Sequence, residues 1–196
     1  QTWVPGGRWM TPAQYWTVKV SYPGFSVDYF FLDSNVFDTA DPNSDPEHNI
    51  CSLHNNVGTN CSEHGGPASA QECPGYFKAL WDAQQPWLEK RLSASRADWQ
   101  IVVTHFPPTW GRDVWAPLAS KYGIDLVIAG HVHYQRVFGP TDHDNFLAPS
   151  AYIISGGGGG IQSEAGVDAE GNDDGYGFVD LTLSKEEIEI TAVTHG

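Results

Sequence analysis

Two short apolar runs, each followed closely by histidine, constrain the fold of this chain most. Residues 99–104 read WQIVVT and precede His105, while residues 125–129 read DLVIA and come just before His131. Continuous apolar runs of this length are typical of strands covered on both faces of a parallel sheet. The pattern of residues 113–122 between them predicts a short helix. The segment therefore predicts a strand–helix–strand unit.

The rest of the chain extends this unit in both directions. Apolar spacing over residues 76–97 predicts a helix, which Pro86 would kink or divide. Apolar or alternating patterns predict further strands at 14–21, 27–33, 151–155, 176–183 and 187–193. The last two form an antiparallel hairpin around Ser184-Lys185. This order of elements predicts an α/β sandwich.

Length and charge restrict the classes of function that are open to the chain. A chain of 196 residues is long enough for one globular domain with a sizeable core. Its formal net charge of −14 would repel a phosphate backbone, so we expect no nucleic-acid partner. No apolar run reaches the length of a membrane span. An anionic substrate would need strong local positive charge, which metal ions can supply.

Three histidines follow the predicted buried strands directly. His105 ends the first strand, and His131 and His133 follow the second, after Gly130. Open α/β sheets bind their ligands beyond the carboxyl ends of such strands, and neutral imidazole is a good ligand for zinc, iron and manganese. Any one of these histidines alone would more often be an ordinary surface residue. Together they predict a metal site, or the vestige of one.

The same residues carry a family resemblance. THFPPTW and AGHVH resemble the late motifs of the calcineurin-like metallophosphoesterases, and most closely the small, tartrate-resistant type of purple acid phosphatase. The resemblance continues in matching order through GGRWMTPAQYW, FFLDS, QQPWLEKRLSASRADWQIVVTHFP, KYGIDLVIAGHVHYQ and AYIISGGGGG. It implies that residues 1–196 are the C-terminal portion of a single metallophosphoesterase domain. The expected fold is part of a four-layer α/β/β/α sandwich with a C-terminal β-hairpin.

The resemblance also implies a chemistry. By it, His105 and His131 would bind a divalent metal, and His133 would bind the ferric or other partner metal. The cofactors would be two metal ions, iron with iron, zinc or manganese. They would clamp a phosphate ester and lower the pKa of a bound water. The implied activity is acid phosphatase activity, the hydrolysis of phosphate monoesters.

Several expected motifs are missing from the chain. The family's earlier ligands come from Asp-x-His, Gly-Asp-x-x-Tyr/Asp and Gly-Asn-His motifs, none of which is found here. The family's substrate-binding histidine is also absent between Pro107 and Lys121, where Arg112 could contact phosphate or be an ordinary solvated arginine.

Two hypotheses therefore stand. In the first, the chain is the histidine-bearing half of an enzyme that is completed by its own N-terminal half or by another chain. In the second, it is a non-catalytic structural or binding module of an extracellular assembly. Half of a two-sheet sandwich would expose strand edges and an apolar face. We therefore expect a partner chain that contacts residues 1–33 or the buried strands.

A polar segment at about 34–75 fits the family pattern least well and is interpreted as an insertion. It holds all three cysteines, Cys51, Cys61 and Cys73, for which one disulfide and three alternative pairings are open. Three reduced thiols in a cytosolic protein are the other possibility. Asn60 begins an N-glycosylation pattern. Together these features favour a secreted or lumenal protein.

The glycine run 156–160 follows the predicted strand at 151–155. No Lys-Ser or Lys-Thr pair follows it, so it is not a phosphate-binding P-loop. We expect these glycines to allow close passage of the backbone near the histidines.

Overall fold

The computed structural model describes residues 11–44, 46–158 and 163–195. Residues 1–10, which carry part of the GGRWMTPAQYW resemblance and of the expected partner contact, lie outside the described residues. So do the last two residues of the glycine run 156–160. The chain divides into two compact units, one formed by residues up to Leu32 together with those from Glu89 onward, the other by Asp33–Leu88.

The first unit contains a six-stranded mixed sheet. Its strands are β1 (Trp16–Tyr22), β2 (Phe25–Phe31), β3 (Trp99–Val103), β4 (Leu126–Ala129), β5 (Gln135–Phe138) and β6 (Ala151–Ser155). Their order across the sheet is β1-β2-β3-β4-β6-β5. The pairs β2–β3, β3–β4 and β4–β6 are parallel, whereas β1 and β5 add antiparallel edges. The predicted α/β character and buried parallel strands are confirmed, but β5 was not predicted.

Both faces of the central strands are buried, as their continuous apolar sequences require. On one face the core consists of Val27, Ile101, Leu126 and Ile153, each at most 1% exposed. On the other face the buried side chains include Phe30, Val102, Val127, Tyr152 and Ile154. Each buried side chain of this size contributes roughly 1.5–3 kcal/mol to folding.

The C-terminal hairpin packs on the first of these faces and confirms its prediction. It consists of β7 (Asp173–Leu183) and β8 (Ile188–His195), paired antiparallel. Alternate residues Val179, Leu181, Leu183, Ile188 and Ile190 pack against the core cluster. The intervening residues are exposed, so the hairpin has one apolar and one largely polar face.

Helix α2 (Arg112–Tyr122) connects β3 to β4 and confirms the helix predicted at 113–122. It buries Trp115, Leu118 and Ala119. It ends at Gly123, whose φ of 66° places it in the left-handed region, and the Gly123 amide donates to the Ala119 carbonyl over 3.0 Å. Glycine is favoured there because a side chain would strain this conformation.

The second unit, Asp33–Leu88, contains the cysteine-bearing segment and the first part of helix α1 (Cys73–Ala94). The helix begins three residues earlier than predicted and continues without a break through Pro86. Cys51 and Cys73 form a disulfide with Cα atoms 5.5 Å apart, and Cys61 is a free, exposed thiol. That this segment is an insertion in a single family domain stays a prediction. No helix in the described ranges is long and apolar enough to cross a membrane.

Candidate functional site

Two of the predicted histidines meet at the carboxyl ends of neighbouring parallel strands. His105 follows β3 and His131 follows β4. Nδ1 of His131 lies 3.3 Å from Nε2 of His105. The Gly130 amide donates to the His105 carbonyl over 2.9 Å, which ties the two strand ends together just before the second imidazole. Two imidazole nitrogens this close can hydrogen-bond to each other or bind a shared ion.

His131 is held in an unusual backbone conformation. Its φ is 67°, in the left-handed region that non-glycine residues seldom occupy. Its ring centroid lies 4.2 Å from that of Phe106 and 5.3 Å from that of Trp110. The aromatic contacts fix the direction of the imidazole. The surrounding packing thus offsets the cost of the strained backbone at His131.

His133 lines the same pocket, and a glutamate that sequence reasoning missed holds its backbone. The His133 amide donates to Oε1 of Glu164 over 3.2 Å, and the Glu164 amide donates to the His133 carbonyl over 2.9 Å. Glu164 follows the glycine-rich segment, 31 residues away in the sequence, with no motif around it. No signal in the sequence connects it with His133.

The pocket has a volume of ≈ 380 Å³ and is walled by histidine side chains and glycine backbone. Its lining residues are His105, Gly130, His131, His133, Ser155, Gly156, Gly158, Gly177 and Phe178. A Cβ on Gly156 would lie 2.0 Å from the Val132 carbonyl oxygen, and one on Gly177 would lie 1.9 Å from that of Val193. The glycines thus permit the close backbone passage that we expected at this site.

The described histidines do not make a complete metal site by themselves. Across the described ranges, no group of three or more His, Cys, Asp or Glu side chains is arranged to hold a metal ion. No carboxylate is among the residues that line the pocket. Zinc and iron sites require at least three protein ligands, and a bridging carboxylate is expected between two ions. The donor set seen here therefore does not fit a two-metal centre by itself.

Arg112 lies apart from the histidine pocket. Its guanidinium carbon lies 4.1 Å above the centroid of the Phe146 ring. Burial raises the pKa of the Tyr152 phenol, and the nearby positive charge of Arg112 offsets this only in part. The structure does not bring Arg112 into the lining of the pocket, and its contact with phosphate stays a prediction.

Asn60 is exposed, and its Oδ1 accepts a hydrogen bond from the Ser62 amide over 2.9 Å. The side chain is accessible, and its glycosylation stays a prediction. The free Cys61 follows it directly. Of the three possible cysteine pairings, the structure contains Cys51–Cys73.

Comparison with known proteins agrees with this arrangement. The family model for calcineurin-like phosphoesterases matches residues 21–135, which is more than half of the chain. The chain belongs to the calcineurin-like phosphoesterase family. Members of this family bind divalent metal ions, and the matched range contains both strand ends and all three histidines.

Two individual relatives extend the comparison. The chain is 34% identical over 87 residues to "Acid phosphatase A" of Cryphonectria parasitica (strain ATCC 38755 / EP155), an alignment that covers 35% of this chain and 17% of that protein. A solved structure described as "GAP50 the anchor in the inner membrane complex of Plasmodium" matches with a TM-score of 0.55 and 18% identity. That match covers 96% of this chain and 52% of the other, and it shows a shared fold. The chain thus spans about half the length of that structure and a smaller share of the acid phosphatase.

Proposed function

We propose that this chain supplies the histidine ligands of a phosphoester hydrolase whose metal centre is completed by polypeptide outside these residues. The single observation that carries the proposal is the 3.3 Å approach of His131 Nδ1 to His105 Nε2 at the carboxyl ends of β3 and β4. Family membership supports it, because both imidazoles lie in the matched range.

The proposed substrate class is the phosphate monoester, and the proposed enzyme type is the small, tartrate-resistant purple acid phosphatase. The motifs around His105 and His131 support this type, as does the likeness to a protein named an acid phosphatase. The proposed cofactors are two metal ions, iron with iron, zinc or manganese, for which the missing carboxylate and asparagine ligands must come from elsewhere. Their positive charge is needed because the chain carries a net charge of −14 and would otherwise repel phosphate.

The chain's own residues have separate tasks in this proposal. His105 and His131 hold their imidazoles on rigid strand ends, and the bonds to Glu164 fix the backbone of His133. The bare backbone at Gly156 and Gly158 leaves room for an anion to approach the histidines.

A second candidate function is a structural or binding module built on the phosphatase fold. The specific observation in its favour is that the described residues contain no complete set of metal ligands. The fold match to a protein described as an anchor also supports it. In this case the histidine pocket would be present, but the protein would not hydrolyse a phosphate ester.

The partner and the compartment are also proposals. We propose that the remaining ligands come from the protein's own N-terminal half or from a second chain, and that the protein is secreted or lumenal. The disulfide Cys51–Cys73 and the exposed Asn60 support an oxidising, glycosylating compartment. Intact mass measured before and after reduction, with and without glycosidase, would show a second chain on Cys61 or a glycan on Asn60.

Substitution of His105 tests the function. We expect His105→Ala, in the intact native protein, to lose bound metal and to lower the hydrolysis of p-nitrophenyl phosphate by more than about 100-fold, because a direct ligand is removed. Metal analysis and initial rates, each with and without chelator, measure the two effects. His143→Ala is the matched control, since its side chain is fully exposed and lies outside the pocket.

The two candidate functions predict different results in this experiment. Chelator-sensitive turnover that His105→Ala abolishes and His143→Ala preserves supports the hydrolase. If the intact wild-type protein has neither bound metal nor turnover, the hydrolase proposal is wrong and the binding module is favoured. Unchanged metal content in His105→Ala would show that the site assignment is wrong.

A further inference from the structure

A second cavity lies at the amino ends of the strands, at the opposite end of the sheet from the histidines. Trp99, Leu126 and Ala151, the first residues of β3, β4 and β6, all line it. Its volume is ≈ 430 Å³, within the range of roughly 300–1,000 Å³ that is usual for small-molecule sites. The histidine pocket lies at the carboxyl ends of β3 and β4 instead. This cavity and the histidine pocket share no lining residue.

The walls of this cavity are mainly apolar. The hairpin contributes Ile188 and Ile190, and the segment that leads into β4 contributes Ile124, which is 2% exposed. The indole of Trp99 is held in place because its Nε1 donates to the Ser184 carbonyl over 2.6 Å. A preformed apolar wall binds an apolar ligand without the entropic cost of ordering the site first.

One charged group, Asp125, is among the residues that line the cavity. Its Oδ2 accepts the Gln100 amide over 2.7 Å. A carboxylate can accept about four hydrogen bonds, so this bond leaves acceptor capacity for a ligand. Burial raises the pKa of Asp125, and the bond from Gln100 offsets this only in part. A cation bound beside the carboxylate would relieve that cost of burial.

We propose that this cavity binds a small primary amine with an apolar body, the ammonium group on the Asp125 carboxylate and the body against Trp99, Ile124 and Ile190. Charge complementarity selects the cation, since Asp125 is the charged residue in the lining and no Lys or Arg accompanies it. The apolar walls select the body, and the volume limits it to a small molecule. The site is independent of the proposed hydrolase activity.

A pair of probes with the same phenethyl body, one with a charged and one with a neutral head group, tests the proposal. Phenethylamine and the neutral 2-phenylethanol are titrated into the intact protein at neutral pH, with binding followed by calorimetry and by NMR. We expect the amine to bind at least about tenfold more tightly than the alcohol, because its ammonium group adds charge attraction to the hydrogen bond that either head group can donate to the carboxylate. Added chelator should change neither affinity, which separates this site from the metal centre.

Substitutions in the cavity give the decisive comparison. Asp125→Asn should weaken phenethylamine binding about tenfold or more and leave 2-phenylethanol binding unchanged. Asp113→Asn, an exposed carboxyl on α2 outside the cavity, is the matched control and should change neither affinity. Ala151→Leu, which fills part of the cavity, should abolish the binding of both probes.

Three results would overturn the proposal. They are the absence of amine binding to the wild-type protein, equal binding of amine and alcohol, and an amine affinity that Asp125→Asn leaves unchanged. If Ala151→Leu fails to fold, the two aspartate variants still decide, because they change charge with little change of shape.

Discussion

At the residue scale, the histidine pocket depends on glycines whose surroundings leave no room for a Cβ atom. Gly177 has a φ of 148°, and a Cβ there would lie 1.9 Å from the Val193 carbonyl oxygen and 2.5 Å from Nε2 of Gln135. Gln135 donates from Nε2 to the Val193 carbonyl over 3.0 Å, so this contact joins β5 to β8 beside the pocket. A methyl group at Gly177 would have to displace backbone, not a flexible side-chain end.

Gly177→Ala is therefore expected to lower the free energy of unfolding by more than about 2 kcal/mol, through steric overlap and backbone strain. Urea denaturation followed by circular dichroism measures the change. Gly139→Ala is the matched control, because its nearest neighbour would be Asp142 at an ordinary 3.5 Å and its φ is not positive. A Gly177→Ala variant as stable as Gly139→Ala would contradict the close packing of β7 on β5 and β8.

Asp125 makes stability depend on pH in a direction opposite to that of a salt-bridged carboxyl. Burial raises its folded-state pKa above the unfolded value, so in the interval between the two values the native state binds more protons. The contribution of the protonated carboxyl to the free energy of unfolding is fully present below the pKa that Asp125 has in the unfolded chain. It is lost as the pH rises through the pKa that Asp125 has in the folded protein.

Asp125→Asn should accordingly become more stable relative to the wild type as pH rises from about 3 through the acidic range to neutrality. The unfolding free energies of both proteins, measured across this interval, give the difference curve. Asp113→Asn provides the baseline, because the Asp113 side chain is exposed. A difference that stayed flat or fell with rising pH would show that the carboxyl is not desolvated.

At the element scale, most strands could be predicted from the sequence, whereas one edge strand and the cysteine pairing could not. The strands β3, β4 and β6 could be predicted because continuous apolar runs indicate burial on both faces. The four-residue edge strand β5 reads QRVF, with polar and apolar residues mixed, and is too short to show a period. The cysteine pairing was undetermined because spacing alone allows three combinations.

The Cys51–Cys73 disulfide closes a loop with a sequence separation of 22 residues. Replacing both cysteines with alanine should lower the stability of the unit Asp33–Leu88 by about 3 kcal/mol, mainly through the greater entropy of its unfolded state. Thermal unfolding and limited proteolysis measure the change. Cys61→Ala is the matched control, since this exposed thiol is unpaired. Equal losses in the single and double variants would contradict the pairing.

At the scale of the whole chain, negative charge is the dominant property, with a formal net charge of −14. Such a field repels an anionic substrate at long range, and salt screens it over a Debye length of about 10 Å at 0.1 M. The local charge that attracts phosphate in the proposed site acts at much shorter distances. Long-range repulsion and local attraction therefore respond differently to ionic strength.

For the proposed hydrolase we expect the KM for p-nitrophenyl phosphate to fall a few-fold as ionic strength rises from about 0.01 to 0.15 M, with kcat unchanged. Steady-state kinetics at fixed pH measures both constants. Sucrose at matched osmolality should leave KM unchanged. A KM that rises with salt would mean that the active site carries a net attractive field at long range.

The sequence by itself determined the class of fold, the C-terminal hairpin and the three histidines of the candidate site. These are local properties, because burial, alternation and the residue after a strand can be read from short segments. Only the tertiary structure decided that His105 and His131 approach within hydrogen-bonding distance, that Glu164 holds the His133 backbone, and that Arg112 lies over Phe146 instead of in the pocket. These contacts join residues far apart in the chain, and they form only when the parallel strands bring their carboxyl ends to one edge of the sheet.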